Sequence, residues 1–520
     1  ITDKMKNILK ISIAALLGVM LLASCSKDYM NTIPTSSTAT PTIFESTENA
    51  ALAVNGICKL MTRQYLGSQG FNGEGTIKLY TGEYPGDNLV VNLPGWASVI
   101  NGTNHDSKIS IYNYYNWYYY YMLIGNANAI ILNIDNAKGD ETEKQFIKAQ
   151  ALSFRAYSYM MLLQVYSVRW GDSSNGASDG VVLRLDTSTD EMPLSTMADC
   201  YKQIYDDLDE AIRLYTESGL APDSKDNYSP NIDMAYATYA RAALNRQDYA
   251  KALDKAAKAR ANHPLMSNAE YKDGFNAPNK EWIWSCYGSA DETLFFYSYF
   301  AYMSYNSSAS AVRTYPKCIN KDAYDKIPET DIRRGMFLDP KDYYYTKSTG
   351  LADPKKGGKE LDAYARSLYP DIQASAKVYA YMNFKFANSS QPGVGHLNNF
   401  RSAEMYLIEA EANYFLKNEK AAQASLNALT RDSGRDKEYN CTATGTALLD
   451  EIKLYRKIEL FGEGFNWFDL KRWGDSLNRT STEKGGNYIT ALAVSYGPQD
   501  RNNWTWVIPS KETDYNKLIK

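Results

Sequence analysis

Hydrophobic positions recur at helical spacing over most of the chain. Ala50, Leu52, Ala53, Ile57, Leu60 and Met61 form one apolar face between Thr47 and Arg63, the periodicity of an amphipathic helix. A second helix is predicted over 114–134, where a Tyr-rich first half gives way to Gly125-Asn126-Ala127-Asn128-Ala129, small residues that let another helix approach closely. Long helices are predicted over 143–166 and 198–215, separated by a polar insertion around 171–191, with Ser195 as the candidate cap of the second. Between 233 and 262, Tyr236, Ala240, Ala252, Ala259 and Pro264 fall on the aromatic, small, small, small and proline positions of a tetratricopeptide unit. A further pair spans 403–430, where Ala421 and Ala428 repeat a seven-residue step. Helix pairs of this kind cannot bury their apolar faces alone and stack into a curved solenoid. The expected fold class is therefore mainly α: a tetratricopeptide-like helical-pair solenoid with long loop-rich insertions and a few short strands.

The insertions break the helical pattern. Gly70, Gly73, Gly75, Pro85, Gly86, Pro94 and Gly95 mark 67–107 as loop-rich. Over 281–305 a Glu-Trp-Ile-Trp-Ser run predicts a short strand followed by an irregular, aromatic-crowded excursion. The segment 341–358 reads as another exposed loop. Insertions on repeat proteins gather on one functional face.

The start of the chain carries an export signal. Lys4, Lys6 and Lys10 flank an apolar stretch from Ile11 to Ala23, and Leu22-Ala23-Ser24-Cys25 places small residues directly before a cysteine, the cleavage and acylation pattern of a bacterial lipoprotein. The stretch is short for a membrane span, and a buried or transmembrane helix would not require that cysteine. Translation is expected to start at Met5. Residues 1–24 are expected to be the signal peptide and 25–45 a lipidated Cys25 with its tether. Residues 46–520 are expected to form a single domain, its N-terminal half at 46–270 and its insertion-bearing C-terminal half at 271–520.

Of 520 residues, 44% are hydrophobic and 22% charged, which fits a globular protein with a substantial core. A net charge of -4, without a Lys/Arg-rich run, argues against nucleic acid as a partner. Catalytic patterns are absent from the sequence: His105, His263 and His396 lie in unrelated contexts without an HExxH pair, and no GxSxG elbow occurs. The run from Asp186 to Asp190 lacks the glycine and closing glutamate of a calcium loop, so no metal or cofactor is expected. Cys58, Cys200, Cys286, Cys318 and Cys441 form no CxxC pair and read as isolated buried thiols.

Several ordered blocks carry a family likeness. They are Tyr119 to Asn128 (YYYMLIGNAN), Ala151 to Tyr157 (ALSFRAY), Met192-Pro-Leu-Ser195 through Asp207 to Ala211, and Arg401 to Ala412 (RSAEMYLIEAEA). The most telling runs from Glu459 to Trp473 (ELFGEGFNWFDLKRW), closed by Trp506-Val-Ile-Pro509 and Glu512. In these blocks the chain resembles the SusD/RagB family of outer-membrane lipoproteins over almost all of its mature length. Asn466 stands where that family often has Arg, and Tyr455 where Glu commonly precedes Arg456. The resemblance implies a non-enzymatic, lipid-anchored protein at the cell surface, seated on a SusC-like TonB-dependent transporter and binding glycan, or in some relatives peptide. Glu463-Gly464 reads as a helix break that folds the Trp467/Phe468/Trp473 helix back on the core.

A sugar ring presents a face of C–H bonds on which a planar aromatic stacks, while Asn, Asp or Arg bond its hydroxyls. Loops supply such groups without disturbing a solenoid. The candidate ligand-binding residues are therefore Asp87, Asn88, Trp96 and Asn101 in the first loop, and Tyr297, Tyr299, Tyr302 and Tyr305 in the second. For each aromatic the competing role is packing, the role expected for Tyr114 to Tyr121 and for Trp467 to Trp473. A tetratricopeptide scaffold that binds only protein is the alternative of a different class; it would line a groove with Asn, Lys and Arg and expose little Trp or Tyr on its loops.

Overall fold

The structure, a computed structural model, describes residues 43–67, 70–290 and 297–519. Cys25 and the export signal lie outside the described residues. Helices α1 (Thr47–Leu60), α2 (Ile111–Asn133), α3 (Glu141–Tyr166), α4 (Met197–Ser218), α5 (Ile232–Asn245) and α6 (Tyr249–Ala259) follow the predicted periodicity. After a long insertion come α7 (Lys359–Leu368), α8 (Ser402–Phe415), α9 (Glu419–Asn427), α10 (Gly445–Glu459) and α11 (Asn466–Trp473). Consecutive antiparallel helices pack from α2 to α6, and α6 packs directly on α8, so the stack continues across the insertion as if it were not there. Among the described residues no helix is long and apolar enough to cross a membrane.

Local chemistry sets the helix ends. The Thr196 hydroxyl, one residue beyond the expected Ser195, accepts the Asp199 N–H at the start of α4, and Gly219 closes that helix at φ 65. Asn231 caps α5 by accepting the Met234 N–H. Ala242 and Ala243 on α5 and Ala252, Ala256 and Ala259 on α6 are all fully buried, as the close crossing of the two helices requires. The seven-residue step expected at Ala421 and Ala428 is displaced by one: Ala422 and Leu429 are the fully buried positions, whereas Ala421 faces solvent.

The insertion returns to the stack through two small antiparallel pairings. Strand β2 (Trp282–Cys286), at the predicted place, pairs with β4 (Leu397–Arg401), and β1 (Leu89–Val90) pairs with β3 (Cys318–Ile319). Two expectations fail. The stretch Gly73–Glu83, within the expected 67–107 loop, is helical and buried throughout. Tyr299–Met303, expected to be irregular, is a short buried helix capped by Ser298. In both, glycines or crowded aromatics mask a helix whose every side meets protein. All five thiols from Cys58 to Cys441 are buried and unpaired with one another.

Where the stack, the insertion and the first loop meet lies a buried ionic hub. Glu459 accepts from Arg401 at 2.7 Å and from Arg333 at 2.9 Å, and Glu463 accepts from Lys385 and Arg401 at 2.7 Å each. Arg401 also bonds Glu281 at 2.8 Å. Burial alone would raise the Glu459 carboxyl, but Arg401, Arg435, Arg333 and Lys385 outweigh it and hold it far below the usual carboxylate range. The same contest between burial and the Arg401 and Lys385 charges leaves Glu463 lowered. Nearby, Glu83 accepts the Gly464 and Phe465 N–H groups at 2.6 and 3.1 Å. Burial outweighs those two bonds and pushes Glu83 up to about 8.

Two stability measurements follow. Arg401→Met leaves three buried carboxylates undercompensated and is expected to lower the unfolding free energy by roughly 3–5 kcal/mol in chemical denaturation; a loss below about 1 kcal/mol, the scale of a surface pair, would contradict the hub. Folded Glu83 holds its proton to about pH 8, whereas the unfolded carboxyl releases it near about pH 4.3. Its stabilising protonation is thus lost as pH rises through that window, by up to about 1.4 kcal/mol per pH unit. Glu83→Gln is expected to flatten this component, seen as a gain over wild type that grows from pH 5 to 8; parallel pH profiles would refute the assignment.

Candidate functional site

The buried Gly73–Glu83 segment presents Tyr80 to a corner where three separate parts of the chain meet. Trp96, at the end of a tight Pro94–Trp96 turn, stands 5.4 Å from Tyr80, edge to face. Tyr112, in the first turn of α2, lies 6.0 Å from Tyr80 and 6.4 Å from Trp96. Tyr302, from the short helix in the insertion, closes the corner at 6.1 Å from Tyr80 and 6.3 Å from Trp96. Tyr80 is buried and Tyr302 nearly so, whereas Trp96 and Tyr112 keep part of their surface in solvent. Edge-to-face packing of this kind fixes ring orientation and leaves an outward aromatic surface.

Polar groups hold these rings in place. Ser298 donates to the Gly393 carbonyl at 2.6 Å and accepts from Ala301, which locks the helix bearing Tyr302. The Lys317 amine sits 5.6 Å over the Tyr302 ring and donates to the Ala311 and Tyr315 carbonyls at 3.1 Å each. Burial pushes that amine down to about 7. Arg479 is buried among the carbonyls of Tyr84, Gly86 and Ile100 at 2.7 Å each, and so pins both ends of the loop that carries Trp96.

The two candidate sets, far apart in sequence, converge through Trp96 and Tyr302. Tyr297 is half-buried and within electrostatic reach of Tyr302. The remaining candidates are engaged in scaffold contacts. Asp87 is buried against Lys457 at 2.8 Å, and the Asn88 amide donates to the Lys457 carbonyl at 2.7 Å. Both backbone N–H groups are accepted by Asn466, at 2.6 and 3.0 Å, so the asparagine that departs from the family pattern braces this loop. Asn101 accepts from Arg479 at 2.9 Å, and Tyr299 is buried with its hydroxyl on the Gly462 carbonyl. Tyr305 is half-buried against Tyr369 and Phe384, at 5.0 and 5.5 Å. Tyr80, Tyr112 and Lys317 were not foreseen. Tyr80 lies in a glycine-punctuated run read as loop, and Tyr112 stands two residues before a tyrosine-rich run read as packing.

Among the described residues no group of three His, Cys, Asp or Glu side chains could hold a metal ion. The Asp186 carboxylate accepts the Ser188 N–H within its own turn.

The comparisons with known proteins agree with this architecture. A profile of the SusD family matches residues 241–519, and a second, described as starch-binding and associating with the outer membrane, matches 64–244. A SusD-like protein P2 from Formosa agariphila is 24% identical over 377 residues, 68% of this chain and 70% of that one. A crystal structure of a SusD-like carbohydrate binding protein from Bacteroides vulgatus superposes with a TM-score of 0.72 at 22% identity, covering 92% of this chain and 98% of the other. A SusD superfamily protein from Bacteroides thetaiotaomicron gives 0.70 at 21% identity, covering 91% and 99%. The structural likeness establishes the fold, the profile covers more than half of the chain, and the chain belongs to the SusD family.

Proposed function

We propose that the protein captures oligo- or polysaccharide at the cell surface through the corner formed by Trp96, Tyr112 and Tyr302, without turning it over. It would pass its cargo to a SusC-like TonB-dependent transporter while held in the outer membrane by acylated Cys25. The observation that carries this reading is the convergence, from three chain segments, of partly exposed Trp96 and Tyr112 with buried Tyr302 on a preorganised base. Packed rings lose little freedom on binding, and the partly exposed rings of Trp96 and Tyr112 suit the C–H faces of sugar units. The family description and the carbohydrate-binding relative support the ligand class. Partly exposed Trp96 favours this reading over a scaffold that binds protein alone.

Affinity electrophoresis against a polysaccharide panel, followed by calorimetry, tests the corner. At least one polysaccharide is expected to retard the protein. Trp96→Ala is expected to weaken that binding by about 2 kcal/mol or more, roughly thirtyfold. Binding of peptides with no glycan bound would replace the reading with a peptide-capturing one, and product release by the pure protein would replace it with an enzyme. The anchor is tested separately: labelled palmitate is expected in the wild type and absent from Cys25→Ala, and equal labelling of both would exclude Cys25 as the attachment point.

A further inference from the structure

A groove of about 380 Å³ lies between the first half of α1, the N-terminal part of α3 and the connection from α4 to α5. Its floor is apolar: Val54 and Ile147 are buried, Ala51 and Phe146 half-buried, and Leu220 stands 41% exposed among its lining residues. The ionisable groups that line it, Glu48, Glu143 and Asp226, are all acids. An apolar floor inside an acidic rim favours an occupant with apolar side chains and no carboxylate.

The chain enters the body at the edge of this groove. The Thr47 N–H donates to the Lys138 carbonyl at 2.8 Å, and the Lys138 N–H to the Glu45 carbonyl at 3.0 Å, which fixes the start of α1 against the α2–α3 turn. Thr47 and Glu48 themselves line the groove, so residues 26–42 arrive next to it. That stretch carries no charge after Asp28, and Tyr29, Met30 and Ile33 are grouped together in an otherwise small and polar sequence. Pro34 biases Ile33 toward extended backbone, the conformation that lies along a groove. Fourteen positions separate Ile33 from Thr47, a reach of up to about 49 Å, whereas the groove extends only two turns along α1, about 12 Å.

The size of the groove also favours an occupant from the same chain. It takes a few side chains, well short of the roughly 800 Å² per partner of a standard interface between separate proteins. A segment already joined to the body is present at an effective concentration on the order of millimolar, so weak contacts hold it. We propose that residues 29–34 of this chain lie extended in the groove, with Ile33 on its apolar floor. The docked segment shortens the leash. Eight residues, at most about 28 Å, then separate Cys25 from the body, where the free stretch from Cys25 to residue 43 would allow about 63 Å. This consequence rests on the acylation of Cys25 proposed above; the docking does not, so palmitate labelling and the experiment below fail independently.

Photo-crosslinking and limited proteolysis of the full mature chain in detergent micelles test the docking. A benzophenone amino acid introduced in place of Ile33 is expected to crosslink within the same molecule to α1, α3 or the Leu220–Pro222 connection, identified by peptide mass spectrometry. Chymotrypsin is expected to cut after Tyr29 slowly in the wild type. Ile33→Asp, which sets a carboxylate against the acidic rim, and Leu220→Asp, at an exposed loop position, are each expected to speed that cut about tenfold or more, the effect of losing roughly 1.4 kcal/mol. Should Leu220→Asp fail to fold, Ile33→Asp decides alone, since it lies outside the body. Crosslinks scattered over other surfaces, crosslinks joining two copies, or equal cleavage rates in wild type and Ile33→Asp would each overturn the proposal. Hydrogen-exchange protection of the groove that appears only with a transporter bound, with position 33 uncrosslinked, would also overturn it and give the groove to that partner.

Discussion

The Glu459–Glu463 pair is the constraint on which the rest of the molecule depends. Glu459 is the last residue of α10 and Glu463 lies in the turn that follows, and these two carboxylates collect Arg333 and Lys385 from the insertion and Arg401 from the strand that leads into α8. Arg401 extends the network to Glu281, which also accepts the Ala403 N–H at 3.1 Å. Charges taken out of water are tolerable only when every lone pair finds a donor. Here each carboxylate meets several, and the long insertion between α6 and α8 is thereby fixed to the stack at its centre, where a purely apolar contact would be free to slide.

The same hub reaches the corner. Lys78, from the buried segment that also carries Tyr80, donates to the Glu463 carbonyl at 2.9 Å, and Glu83 from that segment holds the backbone just beyond it. Gly464, at φ 91, leaves no room for a side chain: a Cβ there would lie 2.7 Å from Lys78 Cγ. Asn466, Lys457 and Arg479 then hold the loop from Tyr84 to Asn101. Trp96 therefore projects from a loop whose backbone is bonded at both ends to the C-terminal part of the chain, which explains how a turn without regular structure can present a ring in a set orientation.

Much of the fold was legible because it obeys short-range rules. Helical periodicity located the stacked helices within a few residues, and the alanine spacing of α5 and α6 marked their close contact. What escaped was set by distant partners. Gly73–Glu83 looks like a loop by composition, yet it is enclosed on all sides, so propensity had no exposed face to act on. The shift from Ala421 to Ala422 reflects which face α8 covers, which the α9 sequence alone does not contain. For the site, the aromatic and loop signals brought out Trp96 and Tyr302 but not their contact, which depends on a fold-back spanning some two hundred residues. Asp87 and Asn88 were singled out as polar loop residues, and nothing local reveals that Lys457 and Asn466 occupy them.

The central claim is that a scaffold fixed by the Glu459–Glu463 hub offers the Trp96–Tyr112–Tyr302 corner to a glycan. Hydrogen exchange, measured with and without a polysaccharide that retards the protein, tests it most directly. The account predicts slowed exchange around Trp96, Tyr112 and Tyr302, with α5, α6, α8 and α9 unchanged. Protection confined to those helices, with the three corner segments exchanging as before, would contradict it.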